Sequence, residues 1–261
     1  MATAAPPQPV QADQPAPSNK VQSGPAPSRS RVFAAVSLAW HTMTSTVYSH
    51  KYSENRATGV YQFDCVGLVS YFLKLAAPKA NTAMRTTLKI KPGYVASPPL
   101  MMTYLQSVSS PYWKVISNLA AIEPGDVIVM NSITNPDDGT PGHAMIAAST
   151  PFLLSNGTYG ITVYDSTGTG HGPDDSRHWD TRTTPLPPKS TSGAPTKQQT
   201  TAGTATSAAA TTRNVGSGLG FGTIQLWSAA VSNLTPASEQ MSWTVATKPI
   251  ATGIIVGRAT G

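Results

Sequence analysis

The chain has one cysteine in 261 residues. A lone cysteine excludes an intramolecular disulfide and the paired Cys-x-x-Cys spacing of structural zinc sites. Its five histidines are scattered, and no His-Glu-x-x-His run occurs, so no metal and no other cofactor is expected. No Gly-x-x-x-x-Gly-Lys loop is present to cradle a phosphate. Charge is scarce, at 11% of residues. Eighteen basic against twelve acidic side chains give a net charge of +6 and a pI near 9.5. The basic residues do not cluster or interleave with aromatics, which argues against a nucleic-acid partner. A net positive surface suits an anionic polymer instead. No run approaches the roughly 20 apolar residues of a membrane-spanning helix, so no integral membrane segment is expected. The start also lacks the basic residues and apolar core of a signal peptide. Its Ala/Pro/Thr-rich opening resembles the stretch that follows a cleaved signal, and an extracytoplasmic location is expected.

Two stretches lack any apolar period. Residues 1–30 are rich in Ala, Pro, Gln and Ser, and residues 181–213 are rich in Thr, Ala and Pro. Neither can bury enough surface to offset the entropy of ordering, so both are expected to be disordered. Strand-like sequence resumes after the second stretch, and the remainder is too short for a core of its own. The expectation is a single monomeric domain over 31–261, with an insertion at about 181–213. Helical patterns come first and strand patterns later, which makes the domain α+β. Residues 31–40 read as a helix capped by Ser30, and residues 99–105 as the start of another. The segment 78–113 reads mainly as loops. Strands are expected at 223–227, 241–245 and 254–258. The glycine run Gly216 to Gly222 leads into a strand, not a helix, so it fits a tight turn or a close approach better than a phosphate site.

The cysteine sits in an informative place. Tyr61-Gln62-Phe63-Asp64-Cys65-Val66-Gly67-Leu68-Val69 reads as a strand end, a cap and an amphipathic helix. Asp64 is a good N-cap, which makes Cys65 the first helical residue. The positive end of a helix dipole favours thiolate over thiol, so Cys65 is a candidate nucleophile.

A base for that thiol is at hand. Ile122 to Met130 reads as a turn and a strand, and Asn135-Pro136-Asp137-Asp138-Gly139 as a loop. Gly142-His143-Ala144-Met145-Ile146-Ala147 then opens a second antiparallel strand. A third strand runs from Tyr159 to Asp165. Alternation puts His143, Met145 and Ala147 on one face and Ile161, Val163 and Asp165 on one face of the next strand. Pairing these strands brings Asp165 near His143, where a carboxylate fixes the tautomer of a general base. His171, in the glycine-rich loop after that strand, is the alternative third member. His41 reads as a packed helical histidine, His50 as an exposed residue near the cleft, and His178 carries no motif.

Together, Asp64-Cys65-Val66-Gly67-Leu68, Pro124-Gly125-Asp126-Val127 and Gly142-His143 resemble the NlpC-type cysteine peptidases. The resemblance covers about residues 50–165. It implies a papain-like fold, with the nucleophile at a helix start packed on an antiparallel sheet. It also implies cleavage of peptide bonds in peptidoglycan, with Cys65 as nucleophile, His143 as base and Asp165 as orienting group. The family's site-lining tyrosine falls on Tyr52, with Tyr48 the weaker match. The sequence departs from the family at Val66, where a serine is usual, in the absence of a glycine pair after Tyr52, and in a longer spacing from His143 to Asp165. Two rival readings stay open. One is an acyltransferase or lipid or amide hydrolase using the same residues. The other is a non-catalytic wall-binding module.

Overall fold

The computed structural model describes residues 28–132, 142–168, 170–184, 216–227, 240–242 and 251–260. The expected tail before residue 28, the loop at 135–139 and most of the 181–213 insertion lie outside the described residues. The fold is mixed α+β: four α-helices precede a curled antiparallel sheet. None of the described helices is long and apolar enough to cross a membrane.

Helix α1 (Ser28–Thr42) begins before the expected cap, so Ser30 lies within it and residues 28–30 do not belong to the tail. Its buried stripe is Val32, Val36, Ala39 and Met43, spaced at helical intervals. A small sheet follows, of β1 (Ser45–Tyr48), β2 (Ser53–Asn55) and β3 (Val60–Phe63), in the order β1-β3-β2. It delivers the chain to α2 (Cys65–Ala76). Residues 78–113, read as loops, are largely helical: α3 (Pro78–Thr87) and α4 (Pro98–Gln106). Each starts with proline in its first turn, where the missing N–H has no partner to lose. Helix α3 is mostly polar, and its buried side is only Ala80, Asn81 and Met84, at helical spacing.

The main sheet comprises β4 (Trp113–Val115), β5 (Val127–Ser132), β6 (His143–Ala147), β7 (Phe152–Leu153), β8 (Tyr159–Thr167), β9 (Gly218–Trp227), β10 (Gln240–Ser242) and β11 (Ala251–Ala259). The strand order is β10-β9-β8-β6-β5-β11-β4, with β7 on β8, and every pairing is antiparallel. Strand β10 also bonds β11, so the sheet curls until six strands form a closed circuit. The expected strands at 223–227 and 254–258 are parts of β9 and β11. Of the one expected at 241–245, β10 covers the start and the rest lies outside the described residues.

Alternation along the strands divides the core in two. Val127, Val129, Ala144, Ile146, Tyr164 and Ile255 pack with the helices. Ile128, Met130, Met145, Ala147, Ile161 and Val163 form a second cluster on the opposite face. The Pro124-Gly125-Asp126 turn is anchored by charge. Asp126 is fully buried and takes Nε and Nη2 of Arg258 at 2.8 and 2.9 Å, which ties the start of β5 to the end of β11.

The first residues of the expected insertion are packed. Arg182 lies over the Trp40 ring at 5.1 Å and donates to the carbonyls of Trp40 and Met43, capping the end of α1. Thr184 bridges to Ser217, so the two ends of the unassigned stretch are joined. His41, expected to be packed, is exposed, with its ring edge-on to Trp40 at 4.8 Å.

Candidate active site

Asp64 Oδ1 accepts the Gly67 N–H at 2.7 Å, the N-cap bond anticipated at the start of α2. Cys65 is therefore the first residue of the helix. Helix geometry leaves the N–H groups of Cys65 and Val66 without intrahelical partners. Helix α2 is apolar on nearly every side, so its first nine residues are all buried. Ser166 Oγ donates to the carbonyl of Phe63 at 2.8 Å, which pins the approach to the helix against the end of β8.

Strands β6 and β8 supply the rest. Their register pairs Ile146 with Tyr164 and Ala147 with Val163. Continued, it sets His143 diagonally across from Asp165 on one face. His143 Nε2 lies 2.6 Å from Asp165 Oδ2, with both side chains buried. That contact leaves Nδ1 for the hydrogen bond between His143 and the Cys65 side chain. The structure thus brings Cys65, His143 and Asp165 into one chain of contacts.

His171 joins it from the loop after β8. Its Nε2 lies 3.1 Å from Asp165 Oδ1, so Asp165 receives both histidines, one on each oxygen. The sequence reading treated them as alternatives; in the fold Asp165 is the centre and His171 sits behind it. Arg177 escaped the sequence reading altogether. Its side chain is fully buried and its Nη2 bonds both the carbonyl and Oδ1 of Asp165. Nη1 reaches Asp175 at 2.7 Å and Nε reaches the carbonyl of Gly218 at 2.8 Å. Asp175 in turn takes the backbone N–H groups of His171 and Arg177. The available signal was the closely spaced Asp175 and Arg177 in a loop otherwise rich in small residues.

The glycine run on β9 explains how this loop fits. A Cβ at Gly220 would stand 2.8 Å from the Arg177 guanidinium, and one at Gly222 would stand 2.8 Å from the Asp175 carboxylate. The bare backbone allows a close approach, as the sequence suggested, but by the Asp175–Arg177 loop of the same chain.

These charges set the protonation states. Burial favours neutral Asp165, but Arg177, His171 and the bond from His143 overcome it and hold the carboxyl well below its ordinary range. Burial likewise opposes a charged His143. The charge interaction with Cys65, the hydrogen bond the ring donates to Asp165 and its bond with Cys65 outweigh it and push His143 up from 6.5 to about 10. The arrangement favours a charged imidazolium at His143. Cys65→Ala removes two of the raising contributions, so the His143 ring should titrate below the native value. Ring-nitrogen NMR against pH checks this, and an unchanged titration would show that the sulfur does not act on the imidazole. By linkage, a raised histidine stabilises the fold fully below its unfolded value of about 6.5, and the contribution is lost as pH rises through about 10.

Tyr52, the tyrosine the family spacing suggests, has its ring beside the first turn of α2, where a Cβ on Gly67 would stand 3.8 Å from it. Its ring packs 5.3 Å from Phe63 and 6.2 Å from Tyr71, on the flank of α2. Burial and Glu54 raise the pKa of its hydroxyl, and the hydrogen bond to Glu54 engages the group that an oxyanion role would need. His50 is mostly exposed, yet its Nδ1 lies 3.0 Å from Asp64 Oδ2. Residues 48–52 therefore edge the approach to the thiol, with Tyr48 and His50 rings 5.4 Å apart. Cys65 itself is only 5% exposed.

Two sizeable cavities lie away from these residues. One of about 640 Å³ lies between α3 and α4, and one of about 710 Å³ between α1 and α2. No cluster of three or more His, Cys, Asp or Glu suited to a metal occurs among the described residues. Searches against protein-family models, curated proteins and solved structures found no match to this chain.

Proposed function

We propose that the protein is a cysteine hydrolase of papain-like, NlpC-type design that cleaves amide bonds in peptidoglycan stem peptides. The observation that carries the reading is His143, which joins Asp165 through Nε2 and the Cys65 side chain through its other nitrogen. In this reading the Cys65 thiolate attacks the scissile carbonyl, and the oxyanion is met by the N–H groups at the start of α2. The tetrahedral intermediate expels the amine, which takes the proton held on His143. A water then attacks the thioester, gives its proton to His143 and releases the acid and the thiolate. Asp165, fixed by Arg177 and His171, holds the imidazole in orientation and stabilises its charged form.

The positive net charge suits an anionic wall polymer, and such a substrate places the enzyme outside the cytoplasm. Mass spectrometry of purified peptidoglycan after incubation tests the reading. New muropeptides from the native protein and none from Cys65→Ala are expected, and their masses name the bond. The same fragments from both proteins would refute the role of Cys65.

A further inference from the structure

The cavity between α1 and α2 has its own chemistry. From α1 it is lined at helical spacing by Arg31, Ala34, Ala35, Leu38, Ala39 and Thr42. The facing stripe on α2 is Tyr71, Phe72, Leu75 and Ala76. The alanines on α1 leave space between the helices unfilled, and Leu38 and Leu75 remain 56% and 40% exposed within it. A volume of about 710 Å³ is in the range of small-molecule sites.

Polar groups converge at the same place. Tyr71 is 8% exposed, and its hydroxyl is buried without a hydrogen-bond partner. An unsatisfied buried hydroxyl is costly, so it calls for a ligand or a water. Arg31 and Arg56 line the cavity, and both are exposed. The Arg56 charge acts on the Tyr61 and Tyr71 hydroxyls, as does the nearby Glu54 carboxylate, which itself bonds Tyr52. Two cations and one carboxylate leave a single positive charge, the complement of a monoanion. The planar fork of arginine matches a carboxylate in particular.

We propose that the α1–α2 cavity binds a carboxylate carried on a short aliphatic chain, with the carboxylate met by Arg56, Arg31 and Tyr71 and the chain laid on Leu38 and Leu75. This site is separate from Cys65 and does not depend on its being a nucleophile. Titration of the full chain with octanoate, followed by calorimetry and by NMR of the arginine side chains, tests it. Saturable octanoate binding is expected, with acetate and octylammonium each at least about tenfold weaker, and with a similar loss in Arg56→Gln. Tyr71→Phe should weaken octanoate binding without lowering the thermal stability of the free protein, because it removes an unpaired group. No saturable binding, equal binding of octylammonium, or undiminished affinity in an Arg31→Gln/Arg56→Gln double variant would overturn the proposal.

Discussion

Under the proposed mechanism, replacing Cys65 or His143 with alanine should abolish amide hydrolysis and leave the fold in place. Each loss should be on the order of 10⁴-fold or more, because nucleophile and base act as one unit. For the same reason the double variant should be no worse than either single one. The structural cost is small at Cys65, where one sulfur atom is removed from a helix start whose cap is made by Asp64. Circular dichroism should stay near that of the native chain in both, with the unfolding midpoint near native in Cys65→Ala and lowered in His143→Ala, which takes a buried partner from Asp165. Cys65→Ser is the sharper control, since it keeps the shape and removes the easily ionised sulfur. Activity in the native protein should fall on the alkaline side as His143 loses its proton near pH 10, because the leaving amine then finds no donor. Retained hydrolysis in a folded Cys65→Ala variant would end the assignment.

Replacing Arg177 with methionine should be the most destabilising single change in the site. The guanidinium is fully buried and makes contacts with Asp165, Asp175 and the Gly218 carbonyl at once. Methionine fills much of the volume but leaves two buried carboxylates short of their cation. Breaking a buried pair in this way costs about 3–5 kcal/mol. Arg177→Lys should fall between, because a single ammonium cannot span the positions the fork reaches. The pH dependence has a definite sign. Asp165 is held below its ordinary range, so it contributes stability above about pH 4 that is lost as pH falls through its folded value. Without Arg177 that folded value rises, and acid unfolding should begin at higher pH. Urea melts across pH 3–8 would show this. A variant as stable as the native chain at every pH would mean that Arg177 is not what keeps Asp165 charged.

Residues whose roles are local or periodic were the ones legible in the sequence. Asp64 before an apolar helix announces its cap, and alternation along two neighbouring strands was enough to set Asp165 beside His143. Arg177 was not legible, because its partners come from β8, its own loop and β9, and no spacing rule connects such elements. Helix α3 was missed for a different reason. Its composition is polar overall and its buried side is marked by an alanine, an asparagine and a single methionine, so the stripe does not stand out. Tyr52 was placed by its distance from Cys65 in the chain. Distance along a chain does not fix where an aromatic ring packs, and Phe63, Tyr71 and Glu54 decide it here. The start of the insertion was misjudged because Arg182 anchors by stacking and charge, without an apolar residue to mark it.

Strand β11 comes late in the sequence but sits inside the sheet, with β5 along one side and β4 and β10 along the other. Its register joins Val127 to Gly257, so the chain must close a very long loop before that pairing forms. Contacts of such high sequence separation make folding slow. Strand β6, which carries His143, is hydrogen-bonded to β5 and so rests on a neighbour that is itself waiting. During synthesis the cysteine helix therefore emerges long before the sheet that supplies its base can close. A chain still on the ribosome carries Cys65 before β11 has emerged to complete the sheet on which His143 sits.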